Sequence, residues 1–323
     1  MPGSAGVPAF FYFLLLIPTA DALIYNGRVT HMTLHAWQWV VALLGALIFF
    51  VVFAAGYGVW TYVHPKRMVT RITPKDIGLE YERVTMKTRD GIALSGWFVP
   101  AQAGSEHAII LLHGYPADKG DILASMAFLA DAYHLLLLDF RALGGSEGRI
   151  STVGVRESED VRAGVVWLKE RGVARIGVWG FSMGAAAALM ALPSTPDIQA
   201  IVSDTSYARL DLMAEEVYRE VPLLAPLIGR LMRLTAKLFL SIDIKEQSPE
   251  RAAAHTTVPV LFIHAHDDDV TPFSHVLRLQ RASATNPHAQ FWFRARVQHG
   301  SIGDQEYQQR VREFLSSHLS NQP

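Results

Sequence analysis

Apolar residues fall along this chain in one long unbroken block followed by many short ones, and the two kinds of block predict different structures. No charged residue occurs between Ala36 and Val63. Residues 40–59 alone would make a helix of roughly 30 Å at about 1.5 Å per residue, the thickness of a bilayer core. Trp37 and Trp39 flank one end of the block, and Tyr57, Trp60 and Tyr62 the other, as interfacial aromatics do. The competing reading is a buried core helix, but such helices seldom run this long without a charge. Gly45, Gly56 and Gly58 would weaken a soluble helix and are common in lipid. We therefore expect a transmembrane helix over 36–63.

Orientation follows from the flanks. Lys66, Arg67, Arg71 and Lys75 come soon after the block, whereas Arg28 is the sole Lys or Arg before it. The positive-inside tendency places everything after Val63 in the cytoplasm. Residues 1–35 form a segment that the pattern does not resolve. The apolar stretch 9–17 is short, is interrupted by Pro18 and Asp21, and lacks the basic start of a signal peptide. A second span in a helical hairpin, an unstructured segment, and a true start at Met32 all remain open.

After a linker over 64–77 the rhythm changes. Strands are expected at 81–87 and 92–99, separated by the turn dipeptide Asp90-Gly91, and then at 108–112, 135–138, 176–179, 200–202, 260–263 and 290–297. Helical patterns fall between them at 120–132, 156–171, 183–192, 274–284 and 304–318. Short, fully apolar strands alternating with helices imply a mostly parallel eight-stranded sheet with helices on both faces, the first two strands forming an antiparallel pair. One interval breaks the alternation. Residues 207–218 and 223–240 both look helical, and the second is very apolar (LLAPLIGRLMRLTAKLFL). We read 207–250 as a helical insertion capping a site at the strand ends. Extra helices packed on the sheet edge are the competing reading.

Composition narrows the function. The chain has 323 residues, 50% of them hydrophobic, with 29 Lys+Arg against 30 Asp+Glu. A net charge of −1 argues against general nucleic-acid binding, which needs a basic face to neutralise phosphates. The absence of cysteine excludes disulfides, Cys-ligated zinc, iron–sulfur clusters and a Cys nucleophile.

The strongest chemical signal is Gly180-Phe181-Ser182-Met183-Gly184. A bare G-x-S-x-G is weak, but here it joins a strand pattern (RIGVW) to a helix pattern (MGAAAALMAL), the context of a nucleophile elbow. A Ser there sits at a helix N-terminus whose dipole favours an oxyanion. The hydroxyl needs a base to take its proton. Among the histidines after Ser182, His299 follows the last strand directly and precedes the final helix. His255 and His288 lie at the wrong strand ends, His275 and His318 fall on helices, and His264 and His266 belong to the segment that should supply the acid. That segment, His264-Ala265-His266-Asp267-Asp268-Asp269, offers three carboxylates, and Asp204 at another strand end is a fourth. It lacks a recognisable metal-ligand motif, so no metal is expected. The oxyanion hole needs backbone N–H groups. Met183, after the nucleophile, supplies one. Tyr115, in the loop His113-Gly114-Tyr115-Pro116, supplies the other.

Together these segments resemble the alpha/beta-hydrolase superfamily from about Gly78 to the C-terminus, and in particular membrane-anchored serine hydrolases grouped with prolyl-oligopeptidase-like and dienelactone-hydrolase-like proteins. The resemblance is carried by TPKDIGLEYERVTMKTRDGIALSGWFVP, LLHGYPADKGD, LDFRALGGSEGR, GFSMGA, VPVLFIHAHDDDVTP and HGSIGDQEYQQRVREFLSSHL. The family's acid motif H-G-x-x-D-x-x-V-P, laid on residues 264–272, implies that the acid is Asp268. Ala265 and Thr271 depart from that motif. Ala142 and Leu143 stand where D-x-R-G-x-G-x-S has a Gly after the Arg. The 139–148 stretch is expected to hold the sheet-end loops without direct chemistry.

The expected activity is a membrane-anchored serine hydrolase acting on a small-molecule or lipid acyl ester, or a related thioester or amide, through Ser182, His299 and Asp268, with no cofactor. Ser at the elbow argues against epoxide- and haloalkane-type chemistry, which the superfamily runs with an Asp there. The rival of a different class is a catalytically silent, membrane-tethered binding or scaffold protein on the same fold. A transporter component fits poorly with one strong span and no charged intramembrane residue.

Overall fold

The computed structural model describes residues 24–25, 28–29, 36–217, 225–295, 299–300 and 302–319. The N-terminal stretch 9–17 and the end of the expected last strand, 296–297, lie outside the described residues. The chain divides into two units, Met1–Phe50 and Val51–Pro323. In the first, Ile24–Tyr25 pairs antiparallel with Arg28–Val29, and helix α1 (Ala36–Val63) begins.

Helix α1 matches the expected block end for end. Its large side chains are bare, Leu43 at 68% and Phe53 at 58% exposure, which a buried core helix would not allow. Among the described residues it is one helix long and apolar enough to cross a membrane, a candidate transmembrane helix.

The second unit holds eight strands: β1 (Glu82–Lys87), β2 (Ala93–Val99), β3 (His107–Leu112), β4 (His134–Leu138), β5 (Arg175–Phe181), β6 (Ile198–Asp204), β7 (Val260–Ala265) and β8 (Ala289–Arg294). They form one sheet in the order β8-β7-β6-β5-β3-β4-β2-β1. As expected, β1 and β2 pair antiparallel, and β2 also lies antiparallel to β4. All other neighbours are parallel. Alternate residues of each central strand serve opposite faces. Ile110 and Leu112 of β3 enter one core layer, and Ile109 and Leu111 enter the other. Both faces are therefore apolar, which is why these strands read as continuous apolar runs.

Helices α2 (Glu157–Glu170), α3 (Met183–Ala191), α6 (Pro249–His255) and α7 (Phe273–Ala282) cover the first layer. Helix α8 (Gln305–Leu319) covers the second through Tyr307, Val311, Phe314 and Leu315. The helix expected over 120–132 is shorter, with one α-helical turn at Leu123–Met126 and a 3₁₀ segment at Ala127–Asp131. The insertion contains α4 (Leu210–Val217) and α5 (Ala225–Thr235), and α5 ends in a π-helical turn, Ala236–Leu240.

Residues 64–77 are fastened to the sheet end. The Arg67 guanidinium donates to the carbonyls of Gly144 (3.0 Å), Ser146 (2.5 Å) and Gly148 (2.8 Å). The Thr70 N–H donates to Asp118 at 2.6 Å.

Candidate active site

Helix α3 follows β5 with a single residue between them, so the chain must reverse at Ser182. It does so with φ 51° and ψ −114°, a conformation costly for a residue with a side chain. The flanking glycines explain how the turn closes. A Cβ on Gly180 would sit 2.6 Å from the Gly184 backbone, and one on Gly184 would sit 2.5 Å from the Leu112 carbonyl oxygen. The Ser182 N–H is held by the Asp204 carbonyl at 2.8 Å. Met183 is the first residue of α3, so its N–H has no acceptor one turn back.

The loop after β3 reaches the same point. A Cβ on Gly114 would lie 3.5 Å from the Ser182 Cβ and 3.1 Å from the Phe181 ring. His113, buried behind it, accepts from the Phe140 N–H at its Nε2 (3.2 Å) and donates from Nδ1 to the Gly114 carbonyl (2.7 Å). Burial pushes the His113 imidazole below its usual range, so it stays neutral and keeps both bonds. Tyr115 carries the next backbone N–H, and its phenol donates to the Tyr62 carbonyl at 2.7 Å. That bond fastens the loop to the end of α1. Desolvation raises the phenol to about 12.

His299 and Asp268 are joined directly. The imidazole Nδ1 lies 2.9 Å from Oδ2 and 3.1 Å from Oδ1 of Asp268. The same carboxylate accepts the N–H groups of Val270 (2.9 Å) and Thr271 (2.6 Å). Burial pushes the Asp268 carboxyl up, but the bonds from His299 and these amides outweigh it and hold it below the usual carboxylate range. The His299 ring packs on Phe181, centroids 4.9 Å apart, one residue before Ser182.

Of the other candidate acids, Asp269 is exposed, and Asp267 and Asp204 bond elsewhere. Asp267 bonds His266, both exposed. Asp204 accepts from the Tyr307 hydroxyl (2.6 Å) and Thr205 Oγ1 (2.9 Å), and burial raises it to about 6. Asp139 accepts the N–H groups of Lys119 (2.9 Å) and Gly145 (2.8 Å) and pairs with the Lys119 ammonium, so it ties loops together. Ala142, which replaces a glycine in the resemblance, adopts φ 62° all the same.

Sequence reasoning missed two positioning histidines. His264 donates from Nε2 to the Thr271 carbonyl at 2.9 Å and closes the loop that presents Asp268. His113 shapes the Gly114 turn. His113 directly follows β3 and His264 is the last residue but one of β7, each after an apolar run, which was the available signal.

Comparison with known proteins bears on the family. Residues 107–225 match the family model of the alpha/beta hydrolase fold. The esterase Pf2001 of Pyrococcus furiosus superposes with a TM-score of 0.66 at 30% identity, over 79% of this chain and 99% of that one. An uncharacterized protein of Mycobacterium tuberculosis is 31% identical over 210 residues, 62% of this chain and 66% of that protein. The lysophosphatidylserine lipase ABHD12 of Danio rerio is 28% identical over 195 residues, 55% of this chain and 47% of that protein. The chain thus spans just under two thirds of the mycobacterial relative and about half of the lipase. The chain belongs to the alpha/beta-hydrolase superfamily, and its esterase and lipase relatives support a hydrolase activity.

Proposed function

We propose that this protein is a membrane-anchored serine hydrolase that cleaves an acyl ester, or a related thioester or amide, by way of an acyl-enzyme. The reading rests on one observation above all: a His299–Asp268 pair packed on Phe181, beside a Ser182 in a strained strand-to-helix turn. Ser182 attacks the acyl carbonyl while His299 takes its proton, and Asp268 orients the imidazole and stabilises its cation. The N–H groups of Met183 and Tyr115 receive the oxyanion. Collapse of the tetrahedral intermediate expels the leaving group, which takes the proton from His299. A water activated by His299 then frees the acid and restores Ser182.

The division of labour is a span over 36–63, a catalytic domain over 78–323 on the cytoplasmic side, and a cap over 207–250. The substrate is a small-molecule or lipid acyl compound. An apolar insertion and a membrane anchor both suit a long acyl chain, and the relation to a lysophosphatidylserine lipase supports a lipid.

A fluorophosphonate probe tests the mechanism, because it phosphonylates an activated serine. Wild-type protein should be labelled, Ser182→Ala should not, and Asp268→Ala and His299→Ala should label far more slowly. Unlabelled, folded wild type would favour a binding protein on a hydrolase fold.

A further inference from the structure

The insertion leaves large apolar side chains on its outer side as well as burying some on its inner side. Leu227, Leu234, Leu238 and Phe239 are between 45% and 81% exposed. Leu227 and Leu234 are seven residues apart along α5, which puts them on one face. The side facing the protein is mixed, with Ala225, Ile228 and Gly229 buried and Arg233 beside them. A Cβ on Gly229 would meet the Glu215 side chain of α4 at 2.7 Å, and Arg233 pairs with the buried Asp211 at 2.9 Å. A surface helix ordinarily buries its apolar stripe and presents its charges to water. Contiguous exposed apolar side chains of this kind mark a contact surface.

What covers that surface follows from where α5 touches α1. Ile228, with Leu231 and Met232, packs on Val51 and Ala55. Ala55 lies roughly 12 Å and Val51 roughly 18 Å of helix before the end of α1. Between them and that end stand Tyr57, Trp60 and Tyr62, the aromatics of the membrane–water interface. If α1 spans a bilayer, Val51 and Ala55 sit below the headgroups, and a helix in contact with them sits there too. An amphipathic helix lying in the interface buries its apolar face about 5–10 Å into the headgroup and acyl boundary, and counted from Trp60 the contact runs from about 7 Å at Ala55 to about 13 Å at Val51, at and just below that depth. A cation suits the same position. Arg230 is exposed, and its long stem lets the charge reach the headgroups, whereas the exposed Lys237 pairs with Asp243 at 3.4 Å. The catalytic end of the sheet is held at this level as well. The Tyr115 hydroxyl bonds the Tyr62 carbonyl, and the Ser151 N–H bonds the Val63 carbonyl at 2.9 Å.

We infer that α5 and the turn Ala236–Leu240 are a membrane-embedded element, with Leu227, Leu234, Leu238 and Phe239 seated among the acyl chains of the leaflet adjoining the catalytic domain. The inference rests on the reading of α1 as a span. It gives the insertion a partner, the lipid bilayer itself, and brings the cap to the layer in which a long-chain acyl substrate resides.

The natural absence of cysteine makes a direct test simple. Full-length Phe239→Cys, Val52→Cys and Glu313→Cys are each labelled with a polarity-sensitive NBD dye. They are reconstituted into phosphatidylcholine–phosphatidylglycerol vesicles with or without acyl-chain nitroxides. Phe239 and Glu313 are exposed, so neither label displaces core packing. The expected result is blue-shifted emission and nitroxide quenching at positions 52 and 239, and neither at 313. Quenching at 52 with a water-like, unquenched label at 239 overturns the inference and leaves the span intact. A blue shift at 239 without quenching means that protein, such as a second copy of this chain, covers the face, and this overturns it equally. Loss of quenching at 52 itself removes the span, and the inference falls with it.

Discussion

Nδ1 of His299 donates to Oδ2 of Asp268 at 2.9 Å, between residues 31 positions apart on loops after β8 and β7. The carboxylate is itself fixed by two backbone amides, so the imidazole is held by a rigid acceptor.

That fixation makes Asp268→Asn a sharp test. The amide keeps the shape but removes the charge and favours the wrong imidazole tautomer. The kcat on an activated ester such as p-nitrophenyl butyrate should fall by about 10³–10⁴. Asp204→Asn should cost less than about tenfold, since Asp204 bonds Tyr307 and not His299. Equal losses would mean that the acid has been misassigned. Circular dichroism would confirm that both variants fold.

The two carboxyls should also give opposite pH signatures. Asp204 is raised to about 6 in the folded protein, so the native state holds a proton that the unfolded chain releases. Stability then falls as pH rises from about 4 to about 6, by on the order of 2–3 kcal/mol. Asp268 is lowered, and its contribution is present above the ordinary carboxylate range and lost as pH falls through its folded value. Urea melts across this range should show Asp204→Asn gaining on wild type as pH rises toward 6, and no further above it.

Gly144 is a position where no side chain fits. Its φ is 47°, and a Cβ would fall 2.3 Å from the Asp139 carboxyl carbon, beneath the Lys119 ion pair. Gly144→Ala should destabilise the domain by at least about 3 kcal/mol, seen as a lower urea midpoint. A variant as stable as wild type would show that the 139–148 loop is not the tie described above.

Arg67 converts what reads as a linker into a strap. Its three carbonyl acceptors lie in a single loop, and hydrogen bonds from a charged donor contribute roughly 1.5–3 kcal/mol. Arg67→Ala should lower the unfolding free energy by about that amount and speed tryptic cleavage at Lys66 and Arg71. Unchanged melts and digestion would show the strap to be idle.

The sequence by itself determined what depends on neighbours along the chain. A charge-free block has one economical structure in lipid, and α1 begins and ends where the block does. Apolar runs shorter than a helix could serve a sheet covered on both faces, and eight strands formed. The turn at Ser182 was legible because the glycines that permit it are adjacent to it. Tertiary structure alone decided the rest. The residues gave four candidate acids, and the choice of Asp268 came from resemblance until the distance to His299 supported it. Nothing local says that His113 would shape the Gly114 turn, that Arg67 would reach a loop 77–81 residues away, or that Ile228 would meet Val51 and Ala55. The physical reason is range. Backbone conformation and solvent preference are set within a few residues, whereas a hydrogen bond or an apolar contact between distant segments exists only after the sheet has fixed where each loop ends.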